Sequence, residues 1–244
     1  MATSFSKLNV QALFSAPLLP LPLWAGEQMI FWQEGLAYNP ANETWTSIPL
    51  PPFDQPRDFT SSVVIDNRVA VFGGCSPNAV ADPQYSDNCR ESGERPHNTG
   101  ALYDPATQQW TPITTAPVRG GPHHLATEHA GRLYVVNIEA APTALASYDI
   151  ASDTWETHPA PPLTTRHFPA LTATPDGLFL WGGTGPGSNG ALYYSPTDRW
   201  VLIEVADKNA RSHHSASLLE SGTVYISASY NNPTPLLMEL PATE

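Results

Sequence analysis

A tyrosine followed seven residues later by a tryptophan occurs four times in this chain: Tyr38/Trp45 in "GLAYNPANETW", Tyr103/Trp110 in "ALYDPATQQW", Tyr148/Trp155 in "ASYDIASDTW" and Tyr193/Trp200 in "ALYYSPTDRW". The tryptophans are spaced by 65, 45 and 45 residues. Near copies at a fixed period mark a repeat architecture, in which each copy is one supersecondary unit that buries its apolar face only by packing on the next. That restricts the fold more than any other feature of the chain.

Each Tyr/Trp pair is preceded by an alternating apolar stretch headed by an arginine: "RDFTSSVVIDNRVAVFGG" from Arg57, "RGGPHHLATEHAGRLYVV" from Arg119, "RHFPALTATPDGLFLWGG" from Arg166 and "RSHHSASLLESGTVYIS" from Arg211. Alternation of period two reads as strand, and the residues at Asn67, Gly131, Gly177 and Gly222 read as the turn between two strands. A unit is therefore four antiparallel strands. A sheet of this size cannot cover both faces alone, so the copies pack face to face around an axis as an all-β propeller. The composition agrees: 14% charged residues, 26 prolines, 16 glycines and no long helical periodicity.

The spacing predicts five four-stranded blades in a single domain over residues 1–244, with the long step explained by an insertion at about 75–98. One more period from Trp200 falls just beyond residue 244, so the fifth blade lacks its fourth strand, and Pro241 stands 45 residues after Pro196 in the same register. The N-terminal segment at about 3–9, with Phe5 at the tryptophan position, is expected to supply that strand and close the ring, which removes an exposed sheet edge. A monomer follows; an incomplete ring finished by oligomerisation is the alternative.

The units resemble the Kelch repeat. Gly73-Gly74 and Gly182-Gly183 match its double glycine, Tyr103-Asp104 and Tyr148-Asp149 its dipeptide, and all four tryptophans its aromatic. The corresponding strands of the first, third and fifth units end "FWQE", "VVNI" and "ISAS", so those three turns should differ in shape. The resemblance implies a propeller that binds acidic peptides or small ligands on its axial rim. Some members are sugar mutarotases, copper oxidases or iron-assisted lyases.

Charge narrows the partners. A formal charge of −12 disfavours nucleic acid and anionic membranes, which need a basic surface. No apolar run reaches the eighteen or so residues of a membrane helix, and "ALFSAPLLPLPLWAG", interrupted by three prolines, is assigned to the fold rather than to a signal peptide. Cys75 and Cys89, the only cysteines, match no metal pattern and are read as a local disulfide. A disulfide places the protein in an oxidising, secreted or periplasmic setting, the cytoplasm being the alternative.

Four of the nine arginines, Arg57, Arg119, Arg166 and Arg211, head the strands that line the axis, and five of the eight histidines follow them: His123, His124, His167, His213 and His214. Converging guanidinium groups suit a carboxylate. His123 and His214 both stand eight residues before their turn glycine, which predicts matching positions. No cofactor is predicted; the alternative is a divalent metal held by His123, His167 and His214. Neither a nucleophile elbow nor a phosphate loop is present, "GGTGPGSNG" is a blade loop, and the "NET" at Asn42 is a turn. The expected function is recognition of an anionic small molecule or acidic peptide at the rim. The alternative is a Kelch-type enzyme, a mutarotase or metal-assisted lyase, using the same arginines and histidines.

Overall fold

The computed structural model describes residues 22–77, 94–121, 123–138, 144–184, 189–204, 211–229 and 232–241. They form five antiparallel sheets, a five-bladed propeller. Blade 1 is β1 (Leu23–Ala25), β2 (Gln28–Phe31), β3 (Leu36–Asn39) and β4 (Thr44–Ser47). Blade 2 is β5 (Asp58–Ile65), β6 (Arg68–Pro77), β7 (Glu94–Pro96), β8 (Gly100–Asp104) and β9 (Gln109–Ile113). Blade 3 holds β10 (Leu125–His129), β11 (Arg132–Val136), β12 (Leu145–Asp149) and β13 (Thr154–His158). Blade 4 holds β14 (Ala170–Thr174), β15 (Gly177–Trp181), β16 (Asn189–Tyr194) and β17 (Arg199–Glu204). Among the described residues blade 5 has three strands, β18 (Ala216–Leu218), β19 (Thr223–Ile226) and β20 (Leu236–Glu239), in line with the fourth strand that the repeat spacing leaves out. The N-terminal segment expected to complete it lies outside the described residues.

First strands neighbour one another in blade order, β1 by β5, β5 by β10, β10 by β14 and β14 by β18. The core is divided between blades. Ile30 and Ala37 of blade 1 meet Val69, Val71 and Tyr103 of blade 2; Phe72 and Leu102 meet Leu133 and Val135 of blade 3. Tyr134 and Val136 meet Leu178 and Leu180 of blade 4, and Phe179 and Trp181 meet Val224 and Ile226 of blade 5.

Every Tyr/Trp pair is a direct cross-strand pair between the third and fourth strands, with ring centroids 4.9–5.3 Å apart. The spacing of seven leaves room for a tight turn, whose last residue takes a left-handed conformation: Glu43, Gln108, Asp153 and Asp198, with φ between 52° and 56°. In blades 3 and 4 that residue is an aspartate, and it accepts the tyrosine hydroxyl: Tyr148 to Asp153 at 2.6 Å, Tyr193 to Asp198 at 2.7 Å. Blade 2 carries Gln108 there, and the buried Tyr103 hydroxyl has no partner.

The pairs also join blades. The indole nitrogens of Trp110, Trp155 and Trp200 donate to the carbonyls of Pro49, Thr114 and Pro159 in the preceding repeat, at 2.7, 2.7 and 2.8 Å. Asp153 accepts in addition from the backbone N–H and hydroxyl of Thr114.

Hairpin turns follow their residues. Asp66-Asn67 and Ala130-Gly131 have positive φ at both positions, the two-residue turn that matches strand twist. Gly177, expected at a turn, instead opens β15, paired with Tyr194; Pro175-Asp176 make the turn. Both double glycines have positive φ at each position, Gly73 (72°), Gly74 (79°), Gly182 (72°) and Gly183 (100°). At the three other strand ends, Trp32-Gln33, Asn137-Ile138 and Ser227-Ala228, no residue does, which bears out the expected difference in shape.

Candidate functional site

The register of β5 on β6 pairs Asp58 with Cys75 and Thr60 with Gly73. The arginine-headed loops entering the first strands and the chain leaving the second strands thus share one rim. β7 pairs with the end of β6, Pro77 opposite Glu94, so the insertion leaves and rejoins the sheet on this rim. Cys75 is fully buried there and is not a free thiol; Cys89 lies outside the described residues.

The arginines do not converge as a bare cationic ring. Arg166 is 4% exposed. Its guanidinium donates to the carbonyls of Gly182 (3.1 Å) and Asn189 (3.0 Å), to Asn189 Oδ1 (3.0 Å) and to the Thr164 carbonyl (3.1 Å). It thereby ties the diverging ends of β15 and β16. Arg57 repeats this in blade 2, donating to the carbonyls of Gly73 (3.3 Å) and Thr99 (3.0 Å) and to the Thr99 hydroxyl (2.9 Å), and lies 3.9 Å over the Phe53 ring. Burial pushes both guanidinium groups below their usual range, with Asp54 opposing this at Arg57. Arg211, 3% exposed, donates to the Thr234 carbonyl. Arg119 alone of the four is exposed.

Sequence leaves two fates for these arginines, an anionic ligand or a carboxylate of a neighbouring blade; for Arg57 and Arg166 the structure shows a third. Among the described residues the ion pairs involve Arg68, Arg132 and His158, and no carboxylate oxygen stands within 4.0 Å of Arg57 or Arg166. Their partners are backbone carbonyls, and carbonyls leave the positive charge in place.

The histidines divide into two sets. His124 is buried against the first glycine of the preceding blade's pair, with Nε2 3.2 Å from the Phe72 carbonyl and Nδ1 bonded to Gly121. His214 holds the same place on Gly182, its ring edge-on to Trp181 at 5.4 Å. His124, not His123, is therefore the counterpart of His214. The mismatch has a plain cause: two residues, Ala130 and Gly131, join His129 to Arg132, whereas three, Glu220 to Gly222, join Leu219 to Thr223. Counting back from the glycine slips by one.

The second set lies on the rim. His123 and His167 meet with their Nδ1 atoms 2.9 Å apart. Phe168 packs edge-on to His123 at 4.4 Å and stacks on His213 at 3.7 Å. The proposed trio of His123, His167 and His214 is thus not brought together, because His214 is buried in the blade 4 to blade 5 seam. Among the described residues no three His, Cys, Asp or Glu side chains gather around a common point. Phe59, Phe168 and His213 each follow their arginine by two residues and each has φ near 56°, a conformation a bulky side chain rarely adopts. Sequence reading passed over the two phenylalanines, although "RDF" and "RHF" carry the pattern.

Beside Arg57 the rim opens into a cleft of about 350 Å³ lined by Asp54, Arg57, Pro96, His97, Asn98, Thr99 and Arg119. His97 is oriented by Ser76, Oγ to Nε2 2.7 Å. Of these residues only the two arginines were expected; the rest come from the linker before β5 and from the end of the insertion, where no repeat points to them.

Burial lowers the proton affinity of His124 and lowers that of His214 to about 4, with Arg211 and His213 adding to the effect and a backbone contact at Trp181 opposing it. A histidine whose folded pKa lies below its unfolded value of about 6.5 binds more protons when unfolded, so stability is lost as pH falls through the interval between them. His214 contributes to this loss between its unfolded value and about pH 4. Urea midpoints of the wild type should fall steadily from pH 7 to pH 4.5, and His214→Leu should flatten that slope. An unchanged slope in the variant would assign the acid sensitivity elsewhere.

No helix among the described residues is long and apolar enough to cross a membrane. No protein-family model matches the chain, and no curated protein matches it. Among solved structures the chain is similar to the propeller protein YjhT, with 20% identity over 87% of this chain and 74% of that chain and a TM-score of 0.61. At that identity the likeness bears on fold alone.

Proposed function

We propose that this is a Kelch-type propeller that binds an anionic small molecule or acidic peptide in the rim cleft between Arg57 and Arg119. The observation that carries the reading is the charge state of that wall. Arg57 is half withdrawn from water and held by carbonyls instead of a carboxylate, and Arg119 stands exposed on the same cleft. An anion entering there gains from both charges in a concave site where screening is reduced. Asn98, Thr99 and His97 supply neutral polar contacts around it, and Asp54 favours a ligand that also carries a donor. A Cys75–Cys89 bridge would brace the insertion beside the cleft, and with it we propose a secreted or periplasmic setting.

The test is a titration of the purified protein with an acidic peptide and a series of small carboxylates. Arg119→Ala should weaken binding about 10- to 100-fold, the worth of one charged hydrogen bond, with only a small change in melting temperature, since the position is exposed. Equal affinity in wild type and variant would place the anion site elsewhere.

A further inference from the structure

Two imidazoles from adjacent blades point the same ring nitrogen at one another across the rim. His123 belongs to the loop entering blade 3 and His167 to the loop entering blade 4, and their Nδ1 atoms stand 2.9 Å apart. We propose that this pair is a bidentate site for Cu(II), which it holds at cis positions with solvent or a small exogenous ligand completing the coordination.

Three observations support a metal of this kind. The first is the separation. With metal–nitrogen distances of about 2.0–2.1 Å, two ligands at a right angle stand about 2.9 Å apart and two at the tetrahedral angle about 3.3–3.4 Å. The pair fits adjacent corners of a square plane, the geometry of Cu(II), and imidazole suits that ion. Cu(II) also heads the affinity order of the first-row divalent ions for nitrogen sites.

The second is preorganisation. His167 is fixed through its backbone, whose N–H donates to Thr184 Oγ1 at 3.3 Å and whose carbonyl accepts from the Thr184 N–H at 2.8 Å. His123 is 6% exposed and its ring is braced by Phe168 at an interplanar angle of 83°. Phe168 is itself held in its left-handed conformation and stacked on His213. Chelating groups whose rotamers are locked by packing lose little entropy on binding.

The third is access and field. His167 is only half-buried, so an ion can reach it from solvent, and a protein of formal charge −12 concentrates divalent cations around itself. The site is separate from the arginine cleft, whose lining includes neither histidine.

The experiment is a calorimetric titration of the full chain with Cu(II) at pH 7.4 in a non-coordinating buffer, paired with electron paramagnetic resonance. The expected result is one Cu(II) per chain with superhyperfine structure from two equivalent nitrogens. His123→Ala and His167→Ala should each weaken binding about 100-fold or more, since even changes behind a ligand cost 10- to 100-fold. Because His123 is nearly buried, melting curves provide a second readout: Cu(II) should raise the midpoint of the wild type and leave that of the variant at the half-buried position, His167→Ala, unmoved. Absence of stoichiometric binding, a one-nitrogen spectrum, or binding that persists in the double variant would each overturn the site and leave His123 and His167 as a hydrogen-bonded pair.

Discussion

Gly182→Ala should destabilise the propeller by about 3 kcal/mol, the sum of a left-handed backbone penalty of roughly 1–2 kcal/mol and an overpacking term of similar size. At Gly182 the backbone has φ 72°, and a Cβ would lie 2.5 Å from His214 Cε1 and 2.9 Å from the Arg211 carbonyl. One neighbour is a ring wedged against Trp181 and the other is backbone, so neither yields cheaply. For a chain of this size the loss corresponds to a fall in melting temperature of about 6–12 °C. Differential scanning calorimetry measures it directly. Gly131→Ala provides the contrast: its φ is 76° but nothing stands within 4 Å of an added Cβ, so only the backbone term should appear. Equal losses in the two variants would remove the contact with His214 from the account.

Arg166→Ala should be nearly as damaging. It strips hydrogen bonds from the carbonyls of Gly182, Asn189 and Thr164 and from the Asn189 side chain, and a buried acceptor left unpaired costs about 1–3 kcal/mol. Relief from holding a charge out of water, visible as the lowered proton affinity of this guanidinium, offsets part of that. A net loss of about 3 kcal/mol is expected. Arg119→Ala, at an exposed position, should cost at most about 1 kcal/mol. The pair of variants separates the two roles that sequence alone assigned to all four arginines together: a denaturation curve that moves for Arg119 and not for Arg166 would reverse the assignment.

What was legible from the chain and what was not follows from the kind of order each feature has. Strand pairing is periodic, so Tyr148 opposite Trp155 and the three-stranded fifth sheet could be read by counting. Backbone conformation was legible where only glycine tolerates it, as at Gly73-Gly74. The site was harder. That Arg57, Arg119, Arg166 and Arg211 head equivalent strands is written in the spacing, but the direction of a guanidinium depends on which carbonyls diverge near it, and for Arg57 and Arg166 those stand at or just beyond the ends of β6, β8, β15 and β16. The pairing of His123 with His214 failed because hairpin loops of two and three residues look alike when measured from their glycines. The cleft draws Asp54, His97 and Arg119 from three separate stretches, one of them beyond the insertion, and no repeat unit contains it.

Among the described residues, the indole bonds of Trp110, Trp155 and Trp200 between blades run one way. In each case the donor is the later tryptophan and the acceptor a carbonyl of the earlier repeat: Trp110 on Pro49, Trp155 on Thr114, Trp200 on Pro159. A chain emerging from a ribosome presents the acceptor first. By the time Trp155 is made, all of blade 2 and its Thr114 carbonyl have already been synthesised. The three bonds thus give the ring of blades a direction: along this series each blade is tied to the one before it through a side-chain donor of its own.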